Sequence, residues 1–449
     1  MSPDSLPGSV LQVGGILLLA LLAGRIVAAA FLPGGSGWRL ERWGWGVAIA
    51  SLLLAVEVPV AFALRLSPGW IVFLALALGG IVAARRFRLP ELDLPGGNRA
   101  APSPTALILL ALTAAGVMIY AVRALSEPMW SNDFLAVWGL KGRTIFGDSG
   151  IPQRLFRWPE FEFSNPGYPI GLPLIYAGLA FLLGRWDDHA MALLFPLLQL
   201  GTLMALFGWL RRRGENFVVA LAAAAFVANF GVLYSAWLSG MAEVPAAFTF
   251  LLVGTSLWDV LDDTDPGARR RLFLASLLAA ATKNEGVFLV ACAVAWLAFQ
   301  ALRRRERRLW LAAAAALAAG ASSVLLHRLV LGGHPVRGLD LGLLWSAGLG
   351  SRVVDTLREE WVQLVRPIWP GLVAVLLLAG LDPRRWLANP ISVVVAASVA
   401  TYLALPVLCP FGPGWLVHWT VGRIISALVP LLAAGIGMAQ ARRLGAVSV

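Results

Sequence analysis

Long apolar stretches separated by short polar ones run through the whole chain. Each is long enough, or nearly so, to cross a bilayer as a helix, which takes about 20 residues. The candidate spans are residues 9–31, 44–64, 69–85, 105–124, 189–210, 217–237, 244–260, 271–283, 285–302, 309–330, 367–381, 390–408 and 419–440. The pattern predicts an all-α polytopic membrane protein with about 13 transmembrane helices.

Composition supports this class. Of the 449 residues, 59% are hydrophobic and 14% are charged, whereas a soluble domain carries about 25% charged residues. No polar stretch is long enough to form a soluble domain, so we expect one integral-membrane domain over residues 1–449. The first apolar stretch has no basic segment before it and no A-x-A cleavage site, so we expect it to be a retained span.

Arginine blocks orient the predicted spans, because cytoplasmic loops are enriched in basic residues. The blocks are Arg39/Arg42, Arg85 to Arg88, Arg211 to Arg213, Arg269 to Arg271, Arg303 to Arg308, Arg384-Arg385 and Arg442-Arg443. All of them fall on one side if residues 169–184 do not cross the membrane. Prolines at the start of that segment disfavour a regular helical entry. We therefore expect it to be re-entrant or interfacial on the outer side, with the N-terminus outside.

Two stretches on the predicted outer side have an apolar and a charged face. In residues 133–146, the positions that can share the apolar face are Phe134, Val137, Trp138 and Ile145. In residues 350–366, the apolar positions recur at helical spacing as Val354, Leu357, Trp361 and Leu364. This pattern is typical of helices that lie at the headgroup level, so two interfacial helices are predicted.

Polar residues that do not belong to the arginine blocks gather on the same predicted side. Asp133 opens the first long outer loop and is a candidate general base. As an alternative, aspartate is also a preferred N-cap for the helix that follows. Glu243 stands at the outer entrance of a span, where it is either a helix-start residue or a functional acid.

The turn Lys283-Asn284-Glu285 interrupts an otherwise apolar run. Only two of the 36 basic residues are lysines, Lys141 and Lys283. Lysine and glutamate near membrane depth are costly unless they pair with each other or bind something. Lys283 is therefore either one half of a pair that stabilises the turn or a ligand for an anionic phosphate.

The remaining candidates are weaker. His418 and Arg423 flank the outer entry of the last span, where a snorkelling arginine is the simple alternative. His327, Arg328 and His334 lie near another outer exit without an acid that would complete a metal site. Cys292 and Cys409 have no disulfide or zinc spacing. No nucleotide-binding loop, serine-hydrolase elbow or zinc-protease motif is present.

The order of these motifs resembles a known superfamily. They are Asp133, Lys141, Tyr168-Pro169, Glu243-Val244-Pro245 and Thr282-Lys283-Asn284-Glu285-Gly286. In this order they resemble the GT-C superfamily of integral-membrane glycosyltransferases, especially the bacterial protein O-mannosyltransferase-like and lipid A aminoarabinose transferase-like enzymes. The likeness is fullest over residues 105–302, with the outer loop at 125–188. Residues 1–104 form three additional spans, and residues 303–449 form the C-terminal spans.

The resemblance implies transfer of a sugar from a polyprenyl-phosphate donor to an acceptor hydroxyl, with inversion at the sugar carbon. The acceptor would be a lipid, a glycan or a protein, and the site would face outward from a bacterial inner membrane. It implies that Asp133 is the base and Glu243 the second catalytic acid. The substrate-binding residues it implies are Lys141, Arg143, Tyr168, Lys283, Asn284, Glu285, His418 and Arg423. Many members have two adjacent acids where this chain has Asn132-Asp133, so no divalent metal is indicated.

Two other classes fit the same spans. A transporter or flippase of an anionic lipid or solute would share the buried charges, but it should show internal repeats and charges at the membrane midplane. A non-catalytic scaffold subunit is the third interpretation. The candidates here gather at the outer boundary, which favours the transferase.

Overall fold

The computed structural model describes residues 6–89, 103–234, 237–262, 265, 267–330, 340–364, 389–410, 412, 414, 417 and 422–446. Within these ranges the chain forms helices and connecting segments, without β-strands. The helices are α1 (Leu6–Val27), α2 (Arg39–Ala63), α3 (Trp70–Arg86), α4 (Pro104–Ser126), α5 (Gly139–Gly147), α6 (Arg154–Arg157), α7 (Gly171–Leu183), α8 (Leu194–Arg212), α9 (Phe217–Leu233), α10 (Glu243–Asp262), α11 (Ala268–Thr282), α12 (Asn284–Arg304), α13 (Arg307–Leu325), α14 (Leu349–Leu364), α15 (Pro390–Ala404), α16 (Gly422–Ala427) and α17 (Val429–Ala446).

Eight helical segments of the described chain are long and apolar enough to cross a membrane. They are Leu6–Ala30, Arg39–Ala63, Pro104–Ser126, Ala190–Arg212, Glu243–Asp262, Asn284–Arg304, Arg307–Arg328 and Pro390–Leu408. The all-α, membrane-spanning class is thereby confirmed. The count of about 13 spans stays a prediction, and the candidate span 367–381 lies outside the described residues.

Helix α10 is the centre of the bundle. Every residue from Glu243 to Leu261 is buried, and the helix packs against α8, α11, α12 and α17. With a rise of 1.5 Å per residue, Glu243 and Asp259 lie about 24 Å apart along its axis. This one buried helix therefore has a buried carboxylate near each of its ends, Glu243 at the first and Asp259 at the second.

The arginine blocks meet at one end of the bundle, as their predicted orientation requires. The contacts join Arg212 to Glu41, Arg270 to the Phe87 carbonyl and Arg304 to the Leu261 carbonyl. These contacts involve residues of five of the seven blocks; Arg384-Arg385 and the side chains of Arg442-Arg443 lie outside the described residues. We call this the arginine end, and the opposite end, which is predicted to face outward, the outer end.

Helix α7 does not cross the bundle. Its 13 residues span about 20 Å, against about 30 Å for a hydrocarbon core. It begins at Gly171, against Ala281 at the end of α11. The chain after it returns to the outer end, where Arg185 donates to Ser9 (2.8 Å) and His189 pairs with the Leu125 carbonyl (2.7 Å). The helix is largely buried in protein, and the choice between a re-entrant and an interfacial helix stays a prediction.

The prediction of an interfacial helix at residues 133–146 is wrong. The segment forms a π-helical turn, Phe134–Trp138, followed by α5. Its predicted apolar face exists, but Phe134 packs edge-on against Tyr176 of α7, with ring centroids 5.5 Å apart. Helix α7 therefore packs against this apolar face.

The second amphipathic helix, α14, keeps its apolar face uncovered by protein. Val354, Leu357 and Trp361 are 63%, 61% and 67% exposed. The end of the helix that carries Arg352 is tied to the bundle, because Arg352 donates to the Val407 carbonyl (2.8 Å). This arrangement suits a helix that lies on a membrane surface.

Candidate functional site

Five charged side chains meet at the outer end. They are Asp133, Glu243, Lys283, Glu285 and Arg423, and we call them the outer cluster. They come from four separate parts of the chain: the segment before the π-helical turn, the start of α10, the turn between α11 and α12, and the start of α16. All five were predicted from the sequence as site residues.

Arg423 joins the two predicted catalytic acids. Its Nε and Nη2 donate to Glu243 Oε1 at 2.8 and 2.6 Å, and Nη2 also donates to Asp133 Oδ2. The Arg423 and Asp133 side chains are 26% and 29% exposed, whereas that of Glu243 is fully buried. The Arg423–Asp133 pair therefore forms the accessible edge of the cluster.

Lys283 holds the inner part of the cluster. Its Nζ lies 3.1 Å from Glu243 Oε1 and 3.3 Å from Glu285 Oε1, and its side chain is only 5% exposed. Burial acts to lower the pKa of Lys283, but the two carboxylates outweigh burial and raise that pKa above its ordinary value. Lys283 is therefore a fixed positive charge. Three carboxylates against two cations leave the cluster with one net negative charge.

The carboxylate of Asp133 is not used as a helix cap. Asp133 precedes the π-helical turn, but its side chain makes no capping hydrogen bond. The Phe134 N–H donates to Ser131 Oγ instead, at 3.2 Å. The Asp133 side chain therefore does not cap the helix, and its carboxylate binds Arg423 instead.

A glycine allows the two acidic segments to approach each other. Gly240 has a φ of +91°, a conformation that glycine adopts without strain. A Cβ on Gly240 would lie 2.8 Å from the Cβ of Phe134. The segment before Glu243 can therefore lie directly on the residue after Asp133. Glu243 is also the first residue of α10, so its interpretation as a helix-start residue is confirmed; its functional role stays a prediction.

The lysine turn is a tight helical hairpin. Helix α11 ends at Thr282 and α12 begins at Asn284. A Cβ on Gly286 would lie 2.0 Å from the Ala279 carbonyl oxygen, so only glycine permits this close return. Tyr402 Oη donates to the Glu285 carbonyl at 2.9 Å. The predicted Lys283–Glu285 pair forms, and Lys283 reaches Glu243 as well.

Asn284 and Tyr168 border the cluster. Asn284 Nδ2 is buried and has no hydrogen-bond partner among the described residues. Tyr168 packs on Trp138, with ring centroids 5.1 Å apart. Burial raises the pKa of Tyr168, and the nearby carboxylate of Glu285 raises it further. The phenol therefore stays protonated beside the cluster and can donate a hydrogen bond.

Lys141 and Arg143 are not brought into the cluster. Lys141 is completely buried, and its Nζ donates to the Asn165 carbonyl at 2.8 Å. Burial lowers the pKa of Lys141 to about 7. Arg143, two residues further along α5, is exposed. Lys141 therefore holds the turn that precedes Tyr168, and its predicted contact with substrate has no support from this placement.

The histidines do not form a metal site in the described chain. His327 pairs with the Pro166 carbonyl at 2.6 Å. His334 and His418 lie outside the described residues. No group of three or more His, Cys, Asp or Glu side chains that could hold a metal ion occurs in the described ranges.

Tyrosine is a signal that the sequence interpretation missed. The chain has only five tyrosines, and all of them lie at the outer end: Tyr120, Tyr168, Tyr176, Tyr234 and Tyr402. Burial and then the Glu243 carboxylate raise the pKa of Tyr234 to about 12. Its phenol therefore stays protonated and is a further hydrogen-bond donor near the cluster, and the rarity of tyrosine in this chain could have identified it.

The arrangement offers a partly exposed carboxylate beside two cations that buried carboxylates hold in place. Such a site can accept a proton from a hydroxyl and stabilise an anionic leaving group. In comparisons with known proteins, no family model matches the chain and no curated protein gives a significant match.

Proposed function

We propose that the protein is a membrane glycosyltransferase of the GT-C type, which moves a sugar from a polyprenyl-phosphate donor to an acceptor hydroxyl at the outer face. The observation that carries this proposal is the outer cluster. A base, a second carboxylate and two cations, distributed over 290 residues of chain, meet where membrane-spanning helices end. A donor with a lipid tail and a phosphate headgroup would present its reacting bond at this depth.

The reaction is a single displacement. The carboxylate of Asp133 takes the proton of the acceptor hydroxyl while the acceptor oxygen forms a bond to the anomeric carbon. The bond from that carbon to the phosphate oxygen breaks, and the electron pair leaves with polyprenyl phosphate. Because the acceptor attacks opposite the leaving group, the configuration at the sugar carbon is inverted. The proton on Asp133 then passes to water.

The cations stabilise the charge that develops on the leaving phosphate. Lys283 and Arg423 are the cations of the cluster, and Glu243 contacts both. We assign to Glu243 the role of holding them in place. An arriving phosphate competes with the carboxylates for Arg423. Asp133 is the more exposed of its partners, so it is the one released.

This exchange gives the site an order of events. Before the donor binds, the Asp133 carboxylate is held by Arg423 and is not available to an acceptor hydroxyl. When the phosphate draws Arg423 away, Asp133 becomes free to accept a proton. The base is thus active only with the donor in place, which limits unproductive reaction.

The test is sugar transfer in liposomes that contain the purified protein and radiolabelled polyprenyl-phosphate hexoses. The variants are Asp133→Asn and, as a matched control, Asp148→Asn, an exposed aspartate of the same loop that pairs with Arg154. Removing a general base lowers rates about 100-fold or more. We expect that loss for Asp133→Asn and the wild-type rate for Asp148→Asn.

Release of polyprenyl phosphate is measured in the same samples. Equal release by wild type and Asp133→Asn would rule out the catalytic assignment. If the wild type moves intact donor between leaflets without releasing polyprenyl phosphate, the protein is a flippase instead.

A further inference from the structure

A cavity of about 260 Å³ opens beside the outer cluster. Its polar and aromatic wall residues include Arg123, Glu127, Trp130, Ser131, Trp237 and Ser239. None of the outer-cluster residues lines it. It is smaller than the ~300–1,000 Å³ sites that take drug-sized ligands, so it suits one small ring.

The cavity lies between the two segments that lead into the catalytic acids. Ser131, two residues before Asp133, forms one wall, and residues 237–239, shortly before Glu243, form another. Tyr120 Oη donates to the Trp237 carbonyl at 2.8 Å and fixes the second wall to α4. The Phe134 N–H bond to Ser131 Oγ fixes the first. A group held in the cavity therefore lies next to the segments that carry Asp133 and Glu243.

The wall chemistry matches a polyhydroxylated ring. A sugar hydroxyl both donates and accepts. Arg123 supplies donors, Glu127 supplies acceptors, and the hydroxyls of Ser131 and Ser239 supply both. Trp130 is 55% exposed and offers an apolar surface for the C–H face of a sugar ring.

A phosphate fits the cavity less well. Among the described wall residues, Arg123 is the only cation, and its Nη1 already donates to the Val232 carbonyl at 3.0 Å. The carboxylate of Glu127 repels an anion. Lys283 and Arg423, which would hold the donor phosphate, do not line the cavity.

We propose that this cavity binds one monosaccharide unit of the acceptor, so that the acceptor is a glycan or a glycolipid. This inference rests on the proposed function. It adds a specificity site, with Trp130 as the surface for the ring and Ser239 and Glu127 as hydrogen-bonding partners of its hydroxyls.

The first experiment measures binding alone. The full-length protein in lipid nanodiscs, free of sugar-based detergent, is titrated with methyl hexosides of gluco, manno and galacto configuration by saturation-transfer NMR. We expect one hexoside to bind, and Trp130→Ala to weaken it about tenfold, as for loss of a central aromatic contact. Trp158→Ala is the matched control, because Trp158 is 56% exposed in the same outer loop and does not line the cavity.

Ser239→Ala is the second variant, and it changes a single hydroxyl. Weakening by Trp130→Ala and Ser239→Ala with an unchanged Trp158→Ala supports the proposal. Binding that neither wall variant alters would overturn it, as would the absence of any hexoside binding. Saturation transfer to a serine-containing tripeptide in place of a hexoside would also overturn it.

The second experiment separates this inference from the proposed function. In the transfer assay, Trp130→Ala should raise the acceptor KM about tenfold while kcat stays close to the wild-type value. Wild-type transfer with an unchanged KM in Trp130→Ala would contradict the acceptor site and leave the transferase intact. Hexoside binding without any transfer by the wild type would contradict the transferase and leave the sugar site intact.

Discussion

A charge cluster lies at each end of α10, and the two clusters differ in how far their side chains are exposed to solvent. At the arginine end, Asp259 receives hydrogen bonds from Arg212 (2.6 Å), Arg271 (2.6 Å) and Arg213. The side chains of these four residues are 1–9% exposed. At the outer end, the Asp133 and Arg423 side chains are 29% and 26% exposed. One cluster is closed, and the other has an open edge.

The closed cluster is built to hold helices together. Arg212 also pairs with Glu41 at 2.6 Å, and Arg271 also donates to the Phe31 carbonyl at 2.9 Å. These contacts tie α2, α8, α10 and α11 at one level. Its acids and arginines pair with one another, with Arg213 Nε the one guanidinium nitrogen of Arg212, Arg213 and Arg271 that is buried without a partner among the described residues, and a ligand would have to displace a buried ion pair. A buried network of paired charges holds the helices in one arrangement, whereas a network with an accessible pair can exchange partners with a substrate.

The largest expected effect is on stability, from Asp259→Asn. Removing one partner of a buried ion-pair network costs about 3–5 kcal/mol, because three arginines then lose their shared carboxylate. The measurement is the thermal unfolding midpoint of the purified protein in detergent. Asp262→Asn is the control on the same helix, since Asp262 pairs with Arg213 but is 49% exposed. A variant at Asp259 that unfolds at the wild-type temperature would contradict the structural role of this cluster.

Glu243→Gln should lower both the stability of the fold and the rate of sugar transfer, with a smaller loss of stability than Asp259→Asn. Glu243 pairs with two cations, against three for Asp259, and both keep a second partner, Glu285 for Lys283 and Asp133 for Arg423. We therefore expect a cost of about 1–3 kcal/mol for imperfectly paired buried groups. Transfer should fall about 100-fold or more, because the cations lose the carboxylate that positions them. The exposed Glu160→Gln serves as control. Transfer at the wild-type rate in Glu243→Gln would remove this residue from the site.

Lys141→Met should change how stability depends on pH. Burial lowers the pKa of Lys141 from the ordinary 10.5 to about 7. Between these values the unfolded chain binds more protons than the folded one, so this residue makes stability rise with pH from about 7 to about 10. Below pH 7 the folded protein carries the full penalty of a buried ammonium group. We expect the methionine variant to lose this rise and to be the more stable protein at pH 6.

The check is the unfolding midpoint of both proteins from pH 6 to pH 9. Arg143→Met, on the same helix but exposed, controls for loss of a positive charge. Identical slopes in wild type and Lys141→Met would show that Lys141 is not buried as described.

Much of this comparison could be predicted from sequence. The apolar runs predict the spans, and the arginine blocks predict which loops share an end, because both follow from the cost of moving charge across a bilayer. The same constraint predicts that residues 169–184 do not cross. Asp133, Glu243, Lys283 and Arg423 could be identified as candidates, since charged residues at membrane boundaries need a partner or a function.

The pairing itself could not be predicted. Arg423 can join Asp133 to Glu243 because residues 133–146 pack against α7 inside the bundle. The amphipathic pattern of residues 133–146, taken alone, predicts instead that they lie on the membrane surface. The same holds for Lys141. The sequence pattern shows that a lysine lies on this helix, but it does not show that the Asn165 carbonyl accepts its hydrogen bond. Long-range contacts decide both cases.

The most direct measurement compares transfer per folded molecule with thermal stability in Asp133→Asn and Asp259→Asn, prepared in parallel. We predict that Asp133→Asn loses transfer about 100-fold or more and unfolds at the wild-type temperature. Asp259→Asn should unfold at a lower temperature, while its folded fraction transfers sugar at the wild-type rate. Wild-type transfer by Asp133→Asn, or equal loss of transfer in both folded variants, would contradict the account. In that account the outer cluster catalyses transfer and the cluster at the arginine end stabilises the fold.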